Sequence, residues 1–139
     1  MEETRVRFET ANLAKEKGFN ESCNFVFENG NEKCLYGIER RNSTYENVVT
    51  IPKQSLLQKW LRETHNIDVD VVRDSEVHYQ DETRWIVKIS DWNDIQIKEF
   101  SIAQLKFPNH SHHIDFKSYE EALEKGLEEG LKFIDNEKI

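Results

Sequence analysis

His110, His112 and His113 stand within four residues of one another, and Asp115 follows two positions later. Imidazole nitrogens and carboxylate oxygens are ordinary ligands of zinc and nickel. On an extended segment alternate side chains share a face, so His110 and His112 would form a two-histidine pair and Asp115 could add an oxygen. These three are the candidate metal ligands, and a transition metal is the one cofactor the chain could hold. The bland alternative is that Pro108-Asn-His-Ser-His-His is a polar loop of solvated imidazoles. A specific metal centre needs a further ligand and outer hydrogen bonds that orient the rings, and the spacing supplies neither. On that balance no cofactor is expected.

Aromatic side chains outside the apolar stripes are the next candidates. Trp92 sits in the polar turn Asp91-Trp-Asn-Asp, and Tyr45 in the polar run 40–47. These two are the candidate ligand- or partner-binding residues, whereas Trp60 and Trp85 fall on apolar stripes and are expected in a core. Asp68, Asp70, Asp74, Glu76, Asp81 and Glu82 crowd one region. A carboxylate pair could do acid–base work if one member were buried. Alternation instead places Asp68 and Asp70 opposite Ile67, Val69 and Val71, on a wet face. Cys23 and Cys34 lack zinc-knuckle spacing and are expected to be structural thiols, although a hairpin could bring them near each other. The chain has no glycine-rich phosphate loop, no G-x-S-x-G and no H-E-x-x-H, so its catalytic residues are unknown.

The elements that must position these residues are easier to read. The chain has 139 residues, the usual size of a single domain, so residues 1–139 are taken as one unit. Charged residues make up 33% and hydrophobic ones 37%, and 15 aromatic side chains offset that low apolar content. The formal net charge of −8 argues against broad binding to phosphate backbones. A local exception on Lys53, Lys59 and Arg62 ranks last among the functional readings. No apolar run approaches a membrane span, and Met1-Glu-Glu-Thr-Arg does not resemble a secretory signal, so a cytoplasmic location is expected.

Hydrophobic periodicity predicts three helices. The first runs from Phe8 to Lys17 and stops at Gly18. The second is introduced by Ile51-Pro52, carries Leu56, Leu57, Trp60 and Leu61 on one stripe, and stops at Asn66. The third begins at the cap Ser118, with Tyr119, Ala122, Leu123, Gly126, Leu127, Gly130, Leu131 and Ile134 inward and Glu120, Glu121, Glu124, Lys125, Glu128, Glu129 and Lys132 outward. Asn29-Gly30 centres a hairpin whose turn is read as Glu28 to Glu32. Ile67–Val71 and Ile95–Phe100 read as further strands, Glu76–Gln80 and Arg84–Ser90 as a second hairpin around Asp81-Glu82-Thr83, and residues 40–47 as an exposed loop. Short turns between strands favour antiparallel pairing. The expected class is α+β: an antiparallel curled sheet of about five to six strands, with three helices, the second and C-terminal ones packed on one face.

The stretch from Ile51 through Trp60 to Ile67, the run Tyr119-Glu-Glu-Ala-Leu-Glu-Lys-Gly-Leu and the helix end Lys17 to Glu21 together resemble a family of small uncharacterised proteins from phages and prophages of gut bacteria. The resemblance implies a fold and a genomic setting. It implies no activity and no site residue, and the His110–His113 cluster is not part of it.

Two functions of different classes follow. The first is a non-enzymatic, phage-like accessory protein that binds a protein or small-molecule partner, with no membrane role and with a homodimer compatible with it. The alternative is a small metal-dependent enzyme using His110, His112 and Asp115.

Overall fold

The computed structural model describes residues 4–29, 31–35, 40–42, 48–73, 85–92, 98–101 and 118–134. In chain order they form helix α1 (Phe8–Glu16), strands β1 (Phe25–Glu28), β2 (Asn31–Cys34) and β3 (Val48–Thr50), and helix α2 (Gln54–His65). Strands β4 (Ile67–Arg73), β5 (Trp85–Asp91) and β6 (Lys98–Ser101) follow, then helix α3 (Tyr119–Lys132). Every pairing between these strands is antiparallel, and the class is α+β.

The described strands divide into two sheets, ordered β2-β1-β3 and β4-β5-β6, rather than forming the one sheet implied by their short turns. The reason lies at Ile51-Pro52. Pro52 cannot donate to a ladder, and the chain leaves β3 there to enter α2. It re-enters sheet structure only after Asn66, whose left-handed backbone (φ 57°) stops the helix.

The turn after Glu28 is tighter than the five residues expected. Glu28 pairs with Asn31, and Asn29 adopts φ 52°, the geometry that two-residue hairpin loops require. Helix α1 lies against this first sheet: the Phe8 and Phe27 rings meet edge to face at 5.0 Å, and Lys15 Nζ donates to the Val48 carbonyl at 2.7 Å. Gly18 ends α1 with φ 96°, and Phe19 turns back into the core. Within the stretch expected to be an exposed loop, Asn42 is buried. Its amide donates to the Phe19 carbonyl at 2.7 Å and accepts from the Thr50 N–H at 2.8 Å. A residue that satisfies two distant backbone groups is worth burying despite its polarity.

Leu57, Trp60 and Leu61 of α2 are buried as their stripe predicts. So are Leu123, Gly126, Leu127, Gly130 and Leu131 of α3. Ile67, Val69, Val87 and Ile89 supply the opposing sheet face. A Cβ on Gly126 would fall 2.7 Å from Val69 Cγ1 and closer still to Val87 Cγ2, so the absent side chains let α3 lie directly on β4 and β5. Helix α2 borders β4, where Gln58 Nε2 donates to the Val69 carbonyl at 2.6 Å. Ser118 caps α3 by accepting from the Glu121 N–H at 3.1 Å.

Glu124 departs from its expected outward position and is 6% exposed. Its Oε2 accepts from the Arg7 N–H at 3.0 Å and from the Thr10 hydroxyl, and its Oε1 accepts from Gln54 Nε2 at 3.2 Å. One carboxylate thus joins all three helices, close to the positive N-terminal ends of α1 and α2. Periodicity on α3 alone could not reveal this, because the donors lie 117, 114 and 70 residues away.

Candidate functional site

The register of β4 against β5 sets two faces. Ile67 opposes Asp91, Val69 opposes Ile89 and Val71 opposes Val87, while Asp68 opposes Ser90, Asp70 opposes Lys88 and Val72 opposes Ile86. Alternation turns Ile67, Val69 and Val71 toward α2 and α3 and sends Asp68, Asp70 and Val72 to the other side. Asp68 and Asp70 therefore lie on the face the sequence assigns them.

Trp92 follows β5 by one residue and extends its ladder, with its N–H donating to the Asn66 carbonyl at 3.0 Å. The pleat brings its side chain to the same face as Asp68. Its indole Nε1 donates to Asp68 Oδ2 at 2.7 Å, yet 43% of the residue is exposed. An exposed tryptophan held by a charge-assisted hydrogen bond presents a fixed aromatic surface rather than a freely rotating one. At the far end of the face Val72 is also exposed.

Asp70 stands between these ends. Burial raises its pKa above the ordinary 3.8, the neighbouring Asp68 carboxylate raises it further, and Arg62 and Lys88 oppose both effects. Two carboxylates share a face with one indole, and at least one of them is held in a setting that disfavours its charge. Such a face can accept a positively charged group by ion pairing and cation–π contact.

Tyr45, His110, His112 and Asp115 lie outside the described residues. Among the described residues no group of three or more His, Cys, Asp and Glu side chains could hold a metal ion. Cys23 is buried and Cys34 exposed, both as thiols outside any disulfide. Trp60 is buried against Phe19, their rings 5.3 Å apart. Trp85 is half-buried and meets Tyr119 edge to face at 5.5 Å. Arg62 is exposed on α2 with Lys59 near it, but Arg62 acts on Asp70 and is not part of an isolated basic surface. No described helix is long and apolar enough to cross a membrane.

Sequence reasoning missed the junction at Glu124 and a cleft that joins Arg5 to Lys53. Both depend on the N-terminal segment, whose Val6 N–H donates to the Pro52 carbonyl at 3.0 Å while the Gln54 N–H donates to the Thr4 carbonyl at 2.9 Å. No periodicity marks residues 4–6 as the partner of residues 52–54. No protein-family model, curated protein or solved structure matches this chain.

Proposed function

We propose that this protein is a non-enzymatic binding module, a cytoplasmic accessory protein of phage-like origin, whose partner is a protein or small molecule carrying a positive charge. The observation that carries this reading is the Trp92 indole, exposed yet fixed by Asp68, beside the crowded carboxylate of Asp70. The exposed part of the ring adds nothing to burial on folding, and a rigid aromatic anchor is what partner surfaces favour. The acidic net charge of −8 would also speed encounter with a cationic partner. A metal-dependent reaction at His110, His112 and Asp115 is the alternative, and elemental analysis of untagged protein tests it.

Native mass spectrometry of protein recovered from a lysate of its source cells tests the preferred reading. Wild type should retain a partner or small-molecule adduct that Trp92→Ala loses, with the melting temperatures of the two proteins matched. A bare monomer from wild type, or equal retention by Trp92→Ala, rejects it.

A further inference from the structure

A second site lies away from Trp92, where the N-terminal segment crosses the entrance to α2. Arg5 and Lys53 form an isolated antiparallel bridge, which places their side chains on one side of the backbone pair. Both line a cleft of about 280 Å³, floored by Phe25, Ile51 and Leu56 and bordered by Cys23. The Arg5 guanidinium stacks on the Phe25 ring, 3.5 Å from its centroid. Its Nε is buried with no acceptor among the described residues, so its hydrogen-bonding capacity is incompletely used. Lys53 is exposed and makes no ion pair with any described residue.

The helix that opens beside these cations is unusual within this chain. The first turns of α1 and α3 carry Glu9 and Glu120–Glu121, but the first turn of α2 has no acidic residue, and Lys53 gives no side-chain cap. Its own first turn thus supplies no carboxylate, and the one beside it is Glu124 of α3, bonded to Gln54. A net charge of −8 makes this local concentration of positive charge the more notable. Among the described residues the carboxylate paired to it is Glu32, which meets Arg5 Nη2 at 3.5 Å with about half of its side chain exposed. That separation and exposure describe a weak, displaceable pair.

We propose that this cleft binds a small amphipathic oxyanion, a carboxylate or phosphate on an apolar body. The oxyanion sits between Arg5 and Lys53 at the start of α2, displacing Glu32, and the apolar body lies on Phe25, Ile51 and Leu56. Guanidinium geometry suits both oxyanions. The apolar floor distinguishes the site from one for bare inorganic ions.

Backbone-amide NMR titration tests the proposal with phenyl phosphate, benzoate, inorganic phosphate and the neutral control benzyl alcohol. Saturable shifts at Phe25, Ile51 and Lys53 are expected with phenyl phosphate or benzoate, and the tighter of the two identifies the source of the oxyanion. Inorganic phosphate should bind more weakly than phenyl phosphate, and benzyl alcohol should not saturate. Lys53→Gln, at an exposed position, should weaken binding by about ten-fold, the loss of one charge-assisted contact. Glu32→Gln should tighten it, because the competing carboxylate is gone. A merely structural Arg5 would not produce that gain. Absence of saturable shifts with both organic anions, equal binding of the neutral control, or unchanged affinity in both Lys53→Gln and Glu32→Gln overturns the proposal.

Discussion

Single side chains here hold positions that oppose their own solvation, and each is open to direct test. Asp70 has its pKa raised by burial and by Asp68, so the folded state holds its proton more tightly than the unfolded chain does. Its contribution to stability therefore falls as pH rises through the interval above 3.8, and at neutral pH its charge is a small net cost. Asp70→Asn should leave stability unchanged or raise it by no more than about 0.5 kcal/mol, while weakening retention of a cationic partner. Urea midpoints and native mass spectra of the same variant check both halves. His65 shows the opposite logic. Its ring meets Trp60 edge to face at 4.7 Å, and burial lowers its pKa from 6.5. Above that pH both states are neutral and it contributes nothing. Below it the unfolded chain takes up the proton first, so stability falls until the folded-state value is passed. The slope of the urea midpoint between about pH 7 and pH 5, the ordinary histidine range, should shrink in His65→Phe. An unchanged slope would assign the acid sensitivity to other groups.

At the scale of elements, close packing of α3 on the second sheet is carried by two glycines of unequal importance. A Cβ on Gly126 meets two valines on neighbouring strands, whereas one on Gly130 comes no nearer than 3.1 Å, to Val69 Cγ2. Gly130→Ala trades that mild crowding against a helix-propensity gain of about 1 kcal/mol, and its urea midpoint should lie near wild type. Gly126→Ala should be destabilising by about 1–3 kcal/mol, and Gly126→Leu by more. Equal midpoints for the two alanine variants would mean that α3 does not rest on Val87 and Val69. The inward placement of both glycines is legible in the sequence, because a 3.6-residue stripe specifies one helix face from local spacing alone. So are the Gly18 and Asn66 stops, the Ser118 cap and the in–out alternation of β4. Strand partnership is not legible, since nothing in β4 states that its neighbour is β5 rather than an intervening segment. Local spacing misassigns Glu124 for the same reason: its three donors belong to residues brought near only by the fold. Of the candidate site, the exposure of Trp92 follows from its polar sequence neighbours, but its bond to Asp68 depends on a register that local sequence does not encode.

Over the whole molecule, one buried apolar cluster takes residues from all three helices and the second sheet, with Ala11, Leu57, Leu127, Val69 and Val87 among them, and Phe25 of the first sheet packs against it. Glu124 ties the same three helices by polar contacts. A fold knit in this way should open as one cooperative unit. The two thiols can test that directly, because Cys34 is exposed on β2 and Cys23 is buried in the shared cluster. Cys34 should react with a thiol reagent at once, while Cys23 should react only through opening. Glu124→Ala leaves the Arg7 N–H and the Thr10 hydroxyl without their acceptor, while Gln54 Nε2 keeps its bond to the Glu120 carbonyl, at a cost of about 2–4 kcal/mol. If Cys23 is uncovered only when the whole structure opens, that loss should accelerate its labelling by roughly a hundred-fold and leave Cys34 unaffected. Labelling of Cys23 at the wild-type rate in a variant whose urea midpoint has fallen would mean that it is reached by local opening beside Arg40, its backbone partner. The first sheet would then be a separate, weaker unit, and the cleft at Arg5 and Lys53 would breathe independently of the helices beneath it.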